Sequence, residues 1–303
     1  MNGFFNIWKP TGMSSAAVVA VMRGLTREKR VGHAGTLDPE AAGVLPVMTG
    51  KAARLFDYLV DKEKEYIAVV AFGSSTDTQD ATGTVTETGT DYPTMEKAEE
   101  MAGHLIGEIR QRPSMYSAIK VGGKPLYTRA RKGETVEVPE RIVRVDEISF
   151  LREMPEHGFE IKVRCGKGTY IRSICDDLGH LCGCPAHMRS LIRTQSGVFT
   201  QETAIGLDEA RKLSVEGKLF DRMLPPDYPL CHLFRVDINA YWRKAVAAGA
   251  KLPCEGIDGT IPDDGQITRV YLEQSFWGVA QRKGNELVWR AQIAPENGTG
   301  GIR

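Results

Sequence analysis

Short runs of β-branched and aromatic residues recur along the chain and predict strands. The runs at 4–8, 66–73 and 159–165 each combine apolar and β-branched side chains in the way that half-buried strands do. Two further runs within 271–289 flank Lys283-Gly284-Asn285, which predicts a hairpin near the C-terminus.

Apolar residues at helical spacing predict four helices among these strands. The first begins at Ser14 or Ser15, because a serine hydroxyl can accept a hydrogen bond from the first turn of a helix. The others run from about 94 to 107, from 170 to 181 and from 207 to 219.

For the helix over 170–181, the sequence predicts the cap, the end and the apolar face. Thr169 is predicted to cap it and Gly183 to end it. Its apolar stripe leaves Arg172 off the core face and consists of Ile171, Ile174, Leu178 and Leu181.

The size and charge of the chain limit the classes of function. Its 303 residues suffice for one large domain and a small one. The formal net charge of zero argues against a broad positive field, although a local basic groove remains compatible with it. One segment, 111–141, is rich in Lys and Arg and includes Tyr116 and Tyr127. It either contacts a nucleic acid or forms a solvated loop, and the sequence alone leaves these alternatives even.

Neither membrane nor metal chemistry is indicated. No apolar run approaches the roughly 20 residues that span a bilayer, and the N-terminus lacks the pattern of a signal peptide, so we expect a cytoplasmic protein without a membrane partner. Cys182-Gly183-Cys184 lacks the two-residue gap usual in zinc sites, and we expect free thiols and no metal.

The segment from Gly32 to Leu45 is the strongest candidate for chemistry. Pro39 disfavours helical geometry at Asp38, and the glycines at 35 and 43 permit backbone angles that other residues resist. The local pattern alone favours a helix cap at Asp38 with Pro39 in the first turn. A restrained catalytic carboxylate is the alternative.

The whole string resembles the nucleophile motif of the TruB-type tRNA pseudouridine synthases, bacterial type. The family pattern is Gly-His-x-Gly-x-Leu-Asp-Pro-x-Ala-x-Gly-x-Leu, and every specified residue is present. Further segments resemble other family motifs in the same order, with Ser14 and Ser114 as departures from the usual threonine and proline. These segments are 9–15, 64–66, 112–120, 168–173 and 191–194.

The resemblance implies a fold and a reaction. The family fold is a mixed, largely antiparallel sheet with surrounding helices and loops, which agrees with the irregular order of predicted strands and helices, so we expect an α+β protein. The family converts a uridine in the T-loop of tRNA, at position 55, to pseudouridine. This isomerisation has no redox change and needs no cofactor or metal.

The resemblance also implies roles for individual residues. Asp38 would be the nucleophile, attacking C1′ of the ribose or C6 of the base. Tyr66 would stack on the extruded uracil and help to move a proton, and Arg172 would pair with Asp38 and lower its pKa. His33 would occupy the space that the base vacates. The remaining substrate-binding residues implied are Tyr170, Leu191, Lys9, Lys120 and Arg193.

We expect residues 1–230 to form the catalytic domain, with an RNA-gripping loop at about 111–141. Residues 236–295 would form a small strand-rich domain resembling a PUA-like RNA-binding domain, and residues 296–303 a disordered tail. The expected partner is the T-arm stem-loop of tRNA, bound by a monomer without an obligate protein partner.

Two other functions remain open. The first is a non-catalytic tRNA-binding or folding chaperone, and the second is a nucleoside or glycoside hydrolase, which normally needs a paired acid and base. Glu40 is the only carboxylate near Asp38 in the sequence, and its position two residues away directs it elsewhere. Taken singly, each proposed site residue is more often a packing or solvated side chain than a catalytic one.

Overall fold

The computed structural model describes residues 1–60, 62–117, 119–130, 132–134 and 136–295. Residues 296–303, predicted to form a tail, lie outside this description. The strands are β1 (Gly3–Lys9), β2 (Val31–His33), β3 (Ala42–Thr49), β4 (Lys64–Phe72), β5 (Ser74–Thr76), β6 (Val85–Thr88), β7 (Gly107–Gln111), β8 (Lys120–Val121), β9 (Lys124–Pro125), β10 (Arg141–Met154), β11 (Gly158–Cys165), β12 (Ala186–Ser196), β13 (Phe199–Thr200), β14 (Ile205–Gly206), β15 (Phe234–Ile238), β16 (Leu252–Pro253), β17 (Ile257–Asp258), β18 (Ile267–Leu272), β19 (Ser275–Lys283) and β20 (Glu286–Gln292).

Helices occur between these strands at irregular intervals, together with short 3₁₀ turns. The α-helices are α1 (Ser15–Thr26), α2 (Phe56–Val60), α3 (Met95–Ala102), α4 (Leu126–Ala130), α5 (Ile171–Cys182), α6 (Leu207–Val215) and α7 (Arg243–Ala248). The chain divides into two compact units, which we describe separately. Unit 1 comprises residues 1–39, 44–60 and 197–303, and unit 2 comprises residues 40–43 and 61–196.

In the described part of unit 1, the elements pack around apolar clusters. In one of them, helix α1 buries Val18, Val19 and Met22 against side chains that include Phe5 and Leu45. Strand β1 lies between β14, to which it is parallel, and β3, while β2 pairs antiparallel with β3. Because α1 packs on these strands, it provides a rigid base for the segment that follows β2.

The C-terminal part of unit 1 is the strand-rich region predicted from the sequence. Its six strands lie in the order β16-β20-β19-β18-β15-β17. The predicted hairpin is present, since β19 and β20 are antiparallel and Gly284 lies at their turn with φ of 61°. The apolar core of this sheet includes Val236, Val270 and Trp277.

Unit 2 is built on a largely antiparallel sheet. Its strands lie in the order β12-β4-β11-β10-β7, each antiparallel to its neighbour. Ala42 and Gly43 add a parallel pairing with Ile192 and Arg193 of β12. Helix α5 packs on β12. The mixed sheets and irregular helices confirm the predicted α+β class.

The structure overturns the expectation of a helix after Asp38. The chain turns at Pro39 and Glu40 and enters strand β3 at Ala42. All eight residues of β3 are buried. The predicted helix does not form because Ala42 and Gly43 pair with strand β12, and a local helix would lose these long-range hydrogen bonds.

Other differences concern the ends of helices. The helix predicted to reach 107 ends at Ala102 and continues as a 3₁₀ turn, and the helix predicted to reach 219 ends at Val215. Thr169 does not cap α5, because its hydroxyl donates to the carbonyl of Gly166, 3.1 Å away, and thereby closes the preceding turn. Leu181, predicted in the core stripe, is 40% exposed.

Within the described part of the chain, no helix has the length and apolar character needed to cross a membrane.

Candidate active site

The main chain on the N-terminal side of Asp38 is held by a buried serine. The Ser15 Oγ donates to the carbonyl oxygen of Leu37 at 3.1 Å and accepts from the Leu37 N–H at 2.9 Å. Ser15 is 2% exposed and Leu37 is 3% exposed. The neighbouring Ser14 is the residue that caps helix α1, accepting from the N–H of Ala17.

The main chain on the other side of Asp38 is held by a buried lysine. The Nζ of Lys9 donates to the carbonyl oxygens of Pro10 at 2.8 Å, Met13 at 2.5 Å and Pro39 at 2.9 Å. Lys9 ends strand β1 and is fully buried. The ammonium therefore ties the turn after β1 to the residue that follows Asp38.

The Asp38 side chain itself is half-buried, unlike the groups that hold its neighbours. His33 ends the short strand β2, where it pairs with Val47, and it too is half-buried. Gly35 follows with φ of 88°, an angle that favours glycine. Unit 1 thus carries Lys9, His33 and Asp38 in the segment that runs from the end of β1 through α1 and β2 to the loop before β3.

In unit 2, three predicted site residues share one face of the sheet. Tyr66 of β4 lies opposite Arg193 of β12, and Ala68 lies opposite Leu191. Directly opposed residues of paired strands, and residues two apart on one strand, project to the same side. Tyr66, Leu191 and Arg193 are each at most 9% exposed. The structure therefore brings these three residues together on one face of the sheet.

Gly43 allows the chain to run very close to Arg193. Its φ is 114°, and a Cβ at this position would lie 2.2 Å from the carbonyl oxygen of Arg193. No side chain can occupy that position without moving the β12 backbone.

Arg172 is buried by its own set of contacts in unit 2. Its Nη1 donates to the carbonyl of Thr78 at 3.1 Å, and its Nη2 donates to that of Tyr116 at 3.2 Å. Nη1 also lies 3.5 Å from Oδ2 of Asp80. The residue is 5% exposed although the apolar stripe predicted it off the core face. Burial of a cation in the first turn of a helix opposes the helix dipole, and Asp80 offsets that cost.

Asp80 is a member of this arrangement that the sequence did not predict. Its Oδ1 accepts from the hydroxyls of Thr78 at 2.8 Å and Thr82 at 2.6 Å. Its main chain pairs with Met188 of β12. The only local signal was an aspartate flanked two residues away on each side by threonine, a pattern common in ordinary turns.

Tyr170 precedes helix α5 and is held through its main chain by Gln111. The Tyr170 N–H donates to Oε1 of Gln111 at 3.0 Å, and Nε2 of Gln111 donates to the Tyr170 carbonyl at 3.2 Å. Gln111 is fully buried at the end of β7. The Tyr170 ring lies 5.8 Å from the guanidinium carbon of Arg141 and 6.0 Å from that of Arg172.

The segment 111–141 is described only in part. Lys120 belongs to β8, where its backbone pairs with Pro125 of β9. The side chain of Lys120 and residues 118, 131 and 135 lie outside the described part. Arg193, implied by the resemblance as a substrate-binding residue, is 1% exposed.

The cysteines of unit 2 have the environment of inert thiols. Burial raises the pKa of Cys165 and of Cys182 to about 11, so both are protonated at neutral pH. Among the described residues, no group of three or more His, Cys, Asp or Glu side chains is arranged to hold a metal ion.

Besides Arg172, helix α5 carries Asp177, a carboxyl group whose pKa is shifted. Burial, together with the adjacent carboxylate of Asp176, raises the pKa of Asp177 to about 6, while His180 lowers it. Asp177 and His180 line an open groove of about 460 Å³ together with His104 and Glu108.

Comparisons with known proteins agree with the motifs. A family model described as TruB family pseudouridylate synthase (N terminal domain) matches residues 23–171. A second, described as tRNA pseudouridylate synthase B C-terminal domain, matches residues 172–230. Together the two matches include every candidate site residue except Lys9.

Curated relatives extend the similarity over most of the chain. The tRNA pseudouridine synthase B of Oceanobacillus iheyensis is 41% identical over 83% of this chain and 84% of the relative. That of Alkaliphilus oremlandii is 40% identical over 92% of both chains. The enzyme of Francisella philomiragia is 37% identical over 95% of this chain and 93% of its own.

Solved structures show the same fold. A chain of a Cbf5-Nop10-Gar1 complex superposes with a TM-score of 0.75 at 26% identity, covering 99% of this chain and 87% of that chain. A chain of an H/ACA RNP bound to a substrate RNA containing 2′-deoxyuridine gives a TM-score of 0.74 at 24% identity, covering 98% and 86%.

Proposed function

Because the chain belongs to the TruB family of pseudouridylate synthases, we propose that it isomerises a uridine of tRNA to pseudouridine, at position 55 in the T-loop, with Asp38 as the nucleophile. The observation that carries the proposal is the restraint on Asp38. Leu37 and Pro39 are both held by buried polar side chains, while Asp38 between them is half-buried. The relatives' shared name, tRNA pseudouridine synthase B, supports the substrate class.

The reaction suits a single restrained carboxylate. The N1–C1′ bond breaks, the base turns, and C5 joins C1′, with nothing gained or lost overall. Attack by a carboxylate divides this rearrangement into easier steps through a covalent intermediate. The proton that leaves C5 at the end needs an acceptor, and the mechanism consumes no cofactor.

The residues of unit 2 would bind and orient the uridine. Tyr66 supplies a ring on which an extruded uracil can stack, and Leu191 supplies an apolar contact on the same sheet face. Arg172 would contribute positive charge near the reacting groups, with Asp80 holding its guanidinium. Tyr170 would form a wall of the pocket. Arg193 is buried beside Tyr66, and we assign it to support of this face.

Contacts farther along the RNA are assigned by motif. His33 would enter the space that the flipped base leaves, and Lys120 would contact the RNA backbone. Lys9, which is fully buried, would act by holding the main chain at Pro39. The C-terminal six-stranded sheet would serve as a PUA-like RNA-binding region of a cytoplasmic, monomeric enzyme.

The test is conversion of an unmodified tRNA T-arm stem-loop under single-turnover conditions by wild type, Asp38→Asn and Glu40→Gln. Asp38→Asn should lose at least about 10⁴-fold in rate and bind RNA within a few-fold of wild type. Glu40→Gln is the matched control, since it removes an exposed carboxylate two residues away, and it should retain the wild-type rate.

Each alternative function has its own outcome in this experiment. Turnover by Asp38→Asn would exclude the nucleophile assignment. Wild-type protein that binds the stem-loop without forming pseudouridine would be a non-catalytic tRNA-binding protein. Release of free uracil would indicate a nucleoside hydrolase. Mapping the converted uridine in whole tRNA tests the position.

A further inference from the structure

We propose that Ser15 is a positioning residue for the Asp38 carboxylate and that its hydroxyl sets the reaction rate without contacting the substrate. This inference rests on the proposed role of Asp38 as nucleophile. Its basis is the pair of hydrogen bonds that one hydroxyl makes to both main-chain polar groups of Leu37, one donated at 3.1 Å and one accepted at 2.9 Å.

These two bonds restrict the backbone one residue before the nucleophile. With both its N–H and its carbonyl oxygen bound, Leu37 cannot rotate its peptide planes without breaking at least one hydrogen bond. Its side chain is buried as well, at 3% exposure. Lys9 binds the carbonyl of Pro39, so the backbone of Asp38 is held on both sides.

The group that holds Leu37 is itself rigid. Ser15 is the first residue of helix α1, which is twelve residues long and is anchored in the core of unit 1 by Val18, Val19 and Met22. A hydroxyl at 2% exposure has no bulk water to substitute for its partners. Because the packed helix fixes Ser15, the hydroxyl of Ser15 fixes the main chain of Leu37 beside Asp38.

The adjacent Ser14 provides a control of the same type. It is exposed, and its Oγ accepts from the N–H of Ala17 in the helix cap. Both serines lie at the N-terminus of one helix, but of the two only Ser15 binds the main chain next to the nucleophile. Ser14→Ala and Ser15→Ala each remove one hydroxyl from adjacent positions, so their difference reports the Leu37 contact.

The experiment measures the single-turnover rate at saturating T-arm stem-loop, the RNA dissociation constant and the thermal midpoint for wild type, Ser14→Ala, Ser15→Ala and Asp38→Asn. Ser15→Ala should react about 10- to 100-fold more slowly with its dissociation constant within a few-fold of wild type, because small displacements of a reacting group are costly. Ser14→Ala should react at the wild-type rate and lower only the thermal midpoint.

Amide hydrogen exchange is a second measurement, and it reports loss of the individual serine hydrogen bonds, which activity does not. Ser15→Ala should speed exchange at the Leu37 amide, and Ser14→Ala should speed it at Ala17. If Ser15→Ala does not fold, Ser15→Cys takes its place, since a thiol has similar size but bonds weakly, and the same slowing is expected.

Two results would overturn the proposal: a folded Ser15 variant that reacts at the wild-type rate, or one that slows no more than Ser14→Ala. Asp38→Asn separates this failure from that of the proposed function. If Asp38→Asn is inactive while Ser15→Ala is fully active, only the positioning role is wrong. If Asp38→Asn is active, the nucleophile assignment fails first.

Discussion

Unit 1 and unit 2 hold their candidate catalytic residues in different ways. In unit 1, buried side chains bind the main chain on both sides of Asp38, and the carboxylate is left half-buried. In unit 2, the guanidinium of Arg172 is itself bound by two carbonyls and a carboxylate. One arrangement restrains the backbone of a reactive side chain, and the other restrains the functional group directly.

The two arrangements also differ in how far along the chain their partners lie. The groups that hold Leu37 and Pro39 come from positions 22 and 30 residues away. The carbonyls that bind Arg172 lie 94 and 56 residues away. Placement of Asp38 therefore depends on groups at most 30 residues from the residues that they hold, whereas placement of Arg172 depends on carbonyls at least 56 residues away. Substitutions that disturb long-range packing in unit 2 should have the larger effects.

The largest effect on stability is expected at Gly43, where the backbone of unit 2 leaves no space for a side chain. Gly43→Ala would put a Cβ 2.2 Å from the carbonyl oxygen and 2.6 Å from the nitrogen of Arg193, in a backbone with φ of 114°. We expect a loss of more than about 3 kcal/mol in the free energy of unfolding, measured by urea denaturation. The matched control is Gly107→Ala, where φ is 99° and nothing lies within 4 Å of the added atom. It should cost only the strain, about 1–2 kcal/mol. Equal losses in the two variants would show that the contact with Arg193 is unimportant.

The second prediction tests direct restraint of the functional group. Arg172→Lys keeps the charge, but a single ammonium cannot bind Thr78, Tyr116 and Asp80 in the geometry of a planar guanidinium. We expect the single-turnover rate to fall by about 10²-fold. Arg152→Lys is the control, because Arg152 forms a two-bond pair with Glu160 while its side chain is 64% exposed. A comparable rate loss at both positions would contradict a specific role for Arg172.

The difference between unit 1 and unit 2 also explains which parts of the molecule could be predicted from the sequence. Strands β1 and β4 and helices α1 and α5 follow from local periodicity, and the residues around Asp38 are enough to indicate the family, because its longest motif lies in one continuous segment. The helix expected after Asp38 failed because Ala42 and Gly43 pair with residues of β12, an interaction that no local pattern encodes. Asp80 was missed for the same reason, since its partner Arg172 lies on a distant helix. Sequence therefore predicted the groups held locally in unit 1 better than those held in unit 2.

The third prediction concerns a position in unit 2 where a side chain restrains the main chain, as in unit 1. Gln111 binds both main-chain polar groups of Tyr170, as Ser15 does for Leu37. Gln111→Glu preserves shape, but a carboxylate cannot donate to the Tyr170 carbonyl. We expect a loss of about 1–3 kcal/mol in unfolding free energy at pH 8.

A pH series distinguishes this loss from a packing defect. A protonated glutamic acid can donate again, and full burial favours that neutral form, so its folded-state pKa lies above the unfolded value. Stability of the variant relative to wild type should therefore recover as the pH is lowered toward 5. Gln201→Glu, at an exposed position, should show neither effect. A loss that is independent of pH would mean that the amide contributes shape alone.

The smallest effect is expected at Asp177, where unit 2 carries a carboxyl that opposes stability. Burial and Asp176 raise its pKa to about 6, above the ordinary aspartate value of about 4. The folded state therefore binds this proton more tightly than the unfolded state does. The penalty for ionising it develops as the pH rises from about 4 to about 6 and is complete above that range.

Asp177→Asn removes the penalty and should stabilise the protein at pH 7.5 by about 1 kcal/mol, a value reduced for solvent screening in the open groove. Below pH 4 the gain should vanish, and Asp208→Asn, whose side chain in unit 1 is 97% exposed, should give none at pH 7.5. Thermal unfolding of the three proteins across this pH range measures the difference, and a gain that persists at pH 4 would show that charge burial is not its cause.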